Sequence, residues 1–398
     1  MSSTKPAIYY DPFDVEIDRT VHDVWRRMRE EQPVYWNERY EFFALSRFDD
    51  VWDAYHDTAT FSSTHGVMLE SLDEPIGIPI VIFMDPPEHD WMRKLVSRAF
   101  TPRRVAELEA HVAELVDRYL DPFVGSSGFD YVEQFGALLP PMVIGHMLGV
   151  DPADRDMLRH WFDDALHHEN GDPAPSARAA TAMQEMNDYI TVLVADRRKQ
   201  PRDDMITVLI EGEVDDGDGT RRLTEFEIIM FVILLAGAGV ETVARLLSWG
   251  AVTLAENPDE RRLLVDEPAL IPNAVEELLR YEAPSPVNGR FTLQPYQAHG
   301  ITIPAGSKVL ALNGSANRDP REYADPDRFD VRRVMKRHIS FGYGAHFCLG
   351  AALARMEAHA ALAGTLARFP SWEVDPAELV PVQTSTVRGY SSVPIHFD

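Results

Sequence analysis

Residues 341–350 read Phe341-Gly342-Tyr343-Gly344-Ala345-His346-Phe347-Cys348-Leu349-Gly350, and they hold the only cysteine of the chain. Glycines at 342, 344 and 350 let the backbone turn tightly and come close to a flat ligand. An alanine-rich segment, AALARMEAHAALAGTLARF, follows at once and reads as a helix. Cys348 therefore stands at a helix N-terminus, where the dipole and the free N–H groups are expected to lower the thiol pKa. A thiolate is what either a metal ligand or a nucleophile requires.

Three readings of Cys348 follow from these residues. It is a buried structural cysteine, or a nucleophile paired with a histidine such as His346, or an axial thiolate on haem iron. The aromatic residues Phe341 and Phe347 among the glycines suit a wide planar ligand better than an oxyanion site. The loop alone leaves the three open.

Outward from this loop the dominant pattern is helical. Residues 102–120 place Val105, Leu108, Val112, Leu115, Val116 and Leu120 at three- and four-residue spacings with charges between them. Similar stretches cover roughly 153–168, 177–199, 224–256, 259–265, 268–281 and 350–368. Strand-like segments cluster at 33–46 and 286–313, where Ile301-Thr302-Ile303 runs into the turn Pro304-Ala305-Gly306. This predicts a mainly α fold with a minor β region. Residues 169–176 (ENGDPAPS) carry breakers suited to a mobile lid. The acidic, glycine-containing stretch 211–220 does not fit an EF-hand and reads as a solvated loop.

Composition narrows the function classes. The 38 basic and 64 acidic residues give a net charge of −26, which opposes binding to nucleic acid or to anionic membranes. A single cysteine excludes an internal disulfide. The N-terminus has neither a signal-peptide core nor a transit-peptide pattern, and the apolar run from Ile228 to Val240 is too short to span a bilayer. A cytoplasmic protein is expected.

Within 224–256, Thr224 and Glu227 form a capping box. The middle of the segment reads Ala236-Gly237-Ala238-Gly239-Val240-Glu241-Thr242. Two glycines inside a helix cost about 1 kcal/mol each relative to alanine, so either close helix packing or a ligand against the backbone should offset them. Thr242 can bond back to the carbonyl of Ala238, loosening the helix and opening a groove.

Taken together, these motifs resemble the cytochrome P-450 superfamily, in its soluble bacterial, ferredoxin-dependent form. The pattern Phe-Gly-x-Gly-x-x-x-Cys-x-Gly is matched by Phe341, Gly342, Gly344, Cys348 and Gly350. The resemblance runs from Pro86-Pro87-Glu88-His89-Asp90-Trp91-Met92-Arg93 to beyond Cys348. It implies one domain over residues 1–398 with α-rich and β-rich lobes, and haem b between a long distal helix and a proximal cysteine loop and helix. Cys348 would ligate iron, Thr242 would help deliver protons to the oxygen being reduced, and Glu241 would link that relay to solvent. Ala238 and Gly239 would lie against the haem. His89, Arg93, Arg290 and His346 would hold the propionates, with His338 a weaker candidate. Glu277 and Arg280 resemble the family's Glu-x-x-Arg pair, completed by Arg328 as a structural network. After Arg290 the family often has an acidic residue, where Pro295 and Tyr296 stand here; this puts local strand pairing in doubt.

The activity implied is oxygenation of a small apolar molecule by O2, with electrons from a ferredoxin and its ferredoxin reductase. Residues 93–104 hold five basic residues and no acidic one, and 328–337 add Arg328, Arg332, Arg333, Lys336 and Arg337. If both flank the proximal face, they form a basic patch for an acidic ferredoxin. The expected substrate pocket draws on Ile82, Phe83, Leu234, Ala238, Val287, Asn288 and Val387. A peroxide-driven enzyme of the same fold, a haem-based sensor and a cysteine-nucleophile hydrolase are the alternatives.

Overall fold

The computed structural model describes residues 7–165, 176–215, 217, 219–384 and 386–397. The helices that matter here are α1 (Val21–Glu31), α2 (Phe48–His56), α3 (Glu88–Val96), α4 (Glu109–Leu120), α5 (Leu139–Met147), α6 (Ala177–Lys199), α7 (Glu225–Glu256), α8 (Ile271–Tyr281) and α9 (Ala351–Arg368). Strands β1 (Val34–Asn37), β2 (Phe42–Leu45), β3 (Phe61–Ser62), β4 (Asn288–Thr292) and β5 (Lys308–Ala311) form one sheet in the order β1-β2-β5-β4-β3. Only β2 and β5 run parallel. The two strand-rich stretches of sequence thus meet in a single sheet.

Helix α7 is the axis of the molecule. Its capping box forms: Thr224 Oγ1 accepts from the Glu227 N–H at 3.2 Å, and Glu227 Oε2 accepts from the Thr224 N–H at 2.7 Å. Its length and apolarity match those of a membrane-crossing helix. Here that apolarity is used in the main core, where α7 packs against α5, α6, α9 and the strand Arg388–Ser392. The helix runs without a break through Gly237 and Gly239. Thr242 Oγ1 does donate to the Ala238 carbonyl at 2.9 Å, but this bond does not interrupt the helix, contrary to the expected loosening.

Elsewhere the periodic stretches place the helices well and their ends less well. Residues 102–120 split into Pro102–Ala106 and α4, yet all six expected apolar residues are buried on one side. The stretch 268–281 begins as a 3-10 turn, Pro268–Leu270, and becomes α-helical only at Ile271. Pro272 lacks an N–H and is accommodated only in a first turn. Tyr296–Ala298 pairs antiparallel with Ile301–Ile303 despite the Pro295 departure. The turn His299-Gly300 closes that pair, both residues at positive φ. The acidic stretch at 211–220 carries a short hairpin, Glu213–Asp215 with Thr220–Arg222, anchored by buried Val214. It is more than a solvated loop. The lid expected at 169–176 falls, up to residue 175, outside the described residues.

Candidate active site

The loop 341–350 is built by its glycines and closed by hydrogen bonds. Gly342 and Gly344 have φ of +65° and +68°, a region side chains disfavour. A Cβ on Gly344 would lie 2.5 Å from the Tyr55 carbonyl oxygen of α2. The Cys348 N–H donates to the Phe341 carbonyl at 2.9 Å, and the Phe347 N–H to the Gly344 carbonyl at 3.1 Å. Tyr343 stacks on Trp52 of α2, ring centroids 3.7 Å apart. Beside Gly350 the situation is reversed: a Cβ there would meet no protein atom within 4 Å.

Cys348 is exposed, yet the surrounding protein desolvates it and raises its thiol pKa. The Gly350 N–H and the charges of Arg93 and Arg355 pull the other way without prevailing. The shift is thus opposite in sign to that expected from the helix terminus alone. An exposed side chain surrounded so closely by protein lines a cleft rather than the outer surface. Helix α7 shows the same signature. Val240, Leu235 and Ala236 are buried, whereas Leu234 and Thr242 are half-buried and Ala238 is exposed. These last three lie four residues apart on one helical face, so that face is not covered by the chain. A Cβ on Gly239 would sit 3.7 Å from Ile144, an ordinary contact, so close helix packing does not demand that glycine.

Basic and imidazole groups gather near the loop. Arg93 Nη2 donates to the Phe347 carbonyl at 2.6 Å. Arg290 on β4 is buried, stands 5.1 Å from the Tyr55 ring centroid, and donates to its neighbour Gly289's carbonyl at 2.7 Å. Burial lowers the pKa of both guanidinium groups. The His89 and His346 rings lie 4.3 Å apart, and the Nε2 of each is buried without a partner. Burial first, then Arg290, His89 and Arg93, hold the His346 pKa down at about 2. A buried guanidinium (Arg290), a half-buried one (Arg93) and two imidazoles with an unused Nε2, although His89 Nδ1 is bonded to Asp90 at 2.9 Å, make a cradle for a ligand with anionic oxygens; among the described residues neither arginine has a carboxylate ion-pair partner. His338 is spoken for by Glu276 at 3.1 Å and Ser340 at 3.0 Å.

The charge network beneath the loop differs from expectation in one member. Glu277 and Arg280 are fully buried and paired at 2.7 and 2.8 Å. Their third partner is Arg333, whose Nε donates to Glu277 Oε1 at 2.9 Å. The Arg328 side chain is 67% exposed and contributes only its backbone carbonyl, to Arg333 and Arg280. A turn in which the Arg328 N–H donates to the Asp325 carbonyl directs the side chain outward. Sequence spacing also missed Arg355 on α9. It grips Glu276 with two bonds, at 2.6 and 2.8 Å, and lies 4.6 Å over the Phe341 ring. Burial opposes it, but His338 and Arg355 still hold the Glu276 carboxyl at about 2.

Of the expected pocket residues, Ile82, Phe83 and Leu234 pack with the main core around α7. Val287 does not join them; it is buried in a separate cluster with Tyr10, Trp25 and Leu72. Asn288 begins β4, two residues before Arg290, and acts on the Tyr55 hydroxyl. Val387 closes a tight turn, its N–H donating to Thr384 Oγ1 at 2.9 Å. Glu241 on α7 pairs with Arg245 at 3.5 Å. Six of the ten cations of the expected basic patch are paired within the chain: Arg103 with Glu107, Arg104 with Asp203, Arg328 with Glu260, Arg332 with Glu267, Arg333 with Glu277 and Arg337 with Glu322.

Comparison with known proteins meets this geometry. The cytochrome P450 family model matches residues 156–268 and 269–394. Cytochrome P450 130 of Mycobacterium tuberculosis is 39% identical over 382 residues, covering 93% of both chains. The steroid C26-monooxygenase of the same organism is 36% identical over 383 residues, covering 95% of this chain and 94% of that one. The structure of CYP109Q5 from Chondromyces apiculatus superposes with a TM-score of 0.88 at 33% identity, covering 97% of each chain. A cysteine facing an open cleft, an uncovered face on the long helix and a cationic cradle fit a haem site, and the chain belongs to the cytochrome P450 family of haem-dependent monooxygenases.

Proposed function

We propose that this P450 oxygenates a small apolar molecule, of steroid-like size and polarity, with electrons supplied by a ferredoxin and its reductase. The observation that carries the site assignment is the match of unsatisfied groups to the cofactor. Cys348 opens on a cleft, and His89 and His346 each keep a buried, unused Nε2 near the half-buried Arg93 and the buried Arg290. Cys348 would supply the thiolate ligand to the haem iron, and these four residues would hold its propionates. Bound there, the haem supplies oxygen activation, which no side chain provides.

The chain's own residues do the rest. Ala238 and Gly239 leave the cleft-facing side of α7 free for a flat ligand. Thr242 holds its hydroxyl proton on the Ala238 carbonyl at 2.9 Å, one residue from the carboxylate of Glu241. Together they form the proton route to the reacting oxygen. Ile82, Phe83 and Leu234 exclude water and favour an apolar substrate, in keeping with the steroid C26-monooxygenase among the relatives. The ferredoxin reading rests on the exposed Arg328, Val334 and Lys336, which lie on the segment leading into the cysteine loop of an otherwise acidic chain.

A reduced-plus-carbon-monoxide difference spectrum tests the core of this reading. A strongly red-shifted Soret band is expected, and Cys348→Ser and Cys348→His should lose it. Its absence from intact haem-loaded protein overturns the assignment. Titration with a steroid, a fatty acid and a macrolide, read as the iron spin-state shift, tests the substrate class; a response confined to the macrolide would refute the steroid-like pocket.

A further inference from the structure

Glu241 does not stand alone on α7. Its Oε1 lies 3.5 Å from Arg245 Nη2, and the two side chains are only 11% and 10% exposed. Such a pair is not surface decoration, because both charges are largely removed from water. Arg245 is itself fixed from outside the helix. Its Nη1 donates to the Tyr390 carbonyl at 2.5 Å. Gly389 has φ +154°, and a Cβ there would lie 2.9 Å from both Cβ and Cδ of Arg245. The missing side chain at 389 is what lets the arginine lie against the strand Arg388–Ser392.

That strand is riveted to α7 around the same point. Ser248 Oγ accepts from the Tyr390 N–H at 3.1 Å and donates to the Arg245 carbonyl at 2.8 Å. Trp249 Nε1 donates to the Arg388 carbonyl at 3.1 Å, and its ring meets Tyr390 edge-on at 4.9 Å. Arg388 is in turn bound by Asp18 at 2.5 Å and Glu282 at 3.2 Å. The guanidinium beside Glu241 is therefore held by a rigid, well-anchored strand and cannot follow the carboxylate freely.

We propose that Arg245 is a positioning residue for the proton relay: it holds the Glu241 carboxylate, and the strand Arg388–Ser392, through Tyr390 and Gly389, sets where it holds it. This rests on the reading of Glu241 as the acid that feeds Thr242. Helix geometry turns adjacent residues by about 100°, so Glu241 and Thr242 point to different faces. A carboxylate drawn along the axis towards residue 245 must be kept within reach of the hydroxyl. A fixed cation does this, whereas a free glutamate would sample many rotamers.

The test uses the haem-loaded protein with Arg245→Met, Arg245→Lys, Glu241→Gln and the Met/Gln double variant. The first readout is chemical unfolding of the holoenzyme as a double-mutant cycle. The second is oxygen consumption driven by NADPH through a surrogate ferredoxin and its reductase, without substrate, read as peroxide released and as the solvent deuterium isotope effect. Non-additive unfolding is expected. Arg245→Met should alter the isotope effect as Glu241→Gln does, and lower the rate about a hundredfold, the scale of a misplaced proton donor. Arg245→Lys, which keeps the charge, should recover part of both. Additive unfolding with wild-type turnover in Arg245→Met, while Glu241→Gln is impaired, overturns this inference and leaves the relay standing. Wild-type behaviour of Glu241→Gln overturns the relay reading itself, and this inference with it. If Arg245→Met does not accumulate as folded protein, Arg245→Lys decides alone: turnover and isotope effect between those of the wild type and Glu241→Gln are expected, and turnover and isotope effect equal to the wild type overturn the inference.

Discussion

The His89 and His346 rings lie 4.3 Å apart, and neither Nε2 has a hydrogen-bond partner although both are buried. Leaving a buried polar atom unmatched costs about 1–3 kcal/mol, so two neighbouring cases mark a place that expects a ligand. Replacing His89 by Phe, or Arg290 by Leu, should remove a charge-assisted bond to a propionate, about 1.5–3 kcal/mol. Haem loss to a scavenging apoprotein should then quicken by about tenfold or more. A haem-loss rate equal to the wild type in both variants would mean that the cradle holds something else.

The two glycines flanking the loop should fail in different ways. Gly344→Ala forces a methyl against the Tyr55 carbonyl at 2.5 Å and a side chain onto φ +68°. It should destabilise the protein by about 1–3 kcal/mol, with or without haem. Gly350→Ala has ordinary φ, −85°, and no protein atom within 4 Å of the new methyl. It should leave the folding of haem-free protein intact and lower haem occupancy alone. Comparing soluble haem-free yield with the Soret-to-protein absorbance ratio separates the two.

How far such features are legible from sequence is a matter of reach. Gly342 and Gly344 were readable because a tight turn is a local property of the backbone. The capping box of α7, from Thr224 to Glu227, was local too, and so was the amphipathic run that ends in α4. Arg333 was missed in favour of Arg328 because both lie near the same turn, and only the direction of that turn decides which side chain enters the core. The thiol of Cys348 was misjudged for a similar reason. The helix end acts locally and lowers its pKa, but desolvation depends on everything packed around it. Val287 looked like a pocket residue because it precedes Arg290, yet the N-terminal helix α1 folds back and buries it with Trp25.

Arg333 and Arg328 should differ sharply in what they contribute at Glu277. Arg333→Ala removes a cation 2.9 Å from a fully buried carboxylate that keeps Arg280 as its partner, which should cost about 1.5–3 kcal/mol. Arg328→Ala removes an exposed side chain and should change unfolding by no more than about 0.5 kcal/mol. Thermal unfolding of the two variants side by side decides it; equal losses would restore Arg328 to the network.

Electron delivery should depend on the same segment through different residues. Arg332, Arg333 and Arg337 are taken by Glu267, Glu277 and Glu322, so the outward cations of this segment are Lys336 and Arg328, which reaches Glu260 only at 3.9 Å. Reversing both to Glu should slow reduction by a ferredoxin at low salt by about tenfold, and the deficit should shrink as ionic strength rises. Val334→Asp, at a side chain that is 95% exposed, should slow reduction at every salt concentration, since its contribution is apolar contact. Stopped-flow reduction rates unaffected by either change would place the docking surface elsewhere.

Glu357 on α9 is the clearest case where pH should act on stability. It is buried, its Oε2 has no partner, and desolvation raises its pKa well above the ordinary 4.5. The folded state therefore keeps a proton that the unfolded chain releases above pH 4.5. Its contribution to stability is fully present below that pH, and it declines by up to about 1.4 kcal/mol per pH unit until the folded carboxyl ionises. Glu357→Gln, which cannot ionise, removes this slope. The variant should match the wild type near pH 4 and unfold at a higher temperature at pH 7.5, with the gap opening steadily between. Parallel unfolding curves across that range would mean that Glu357 is ionised in the fold and has a cationic partner.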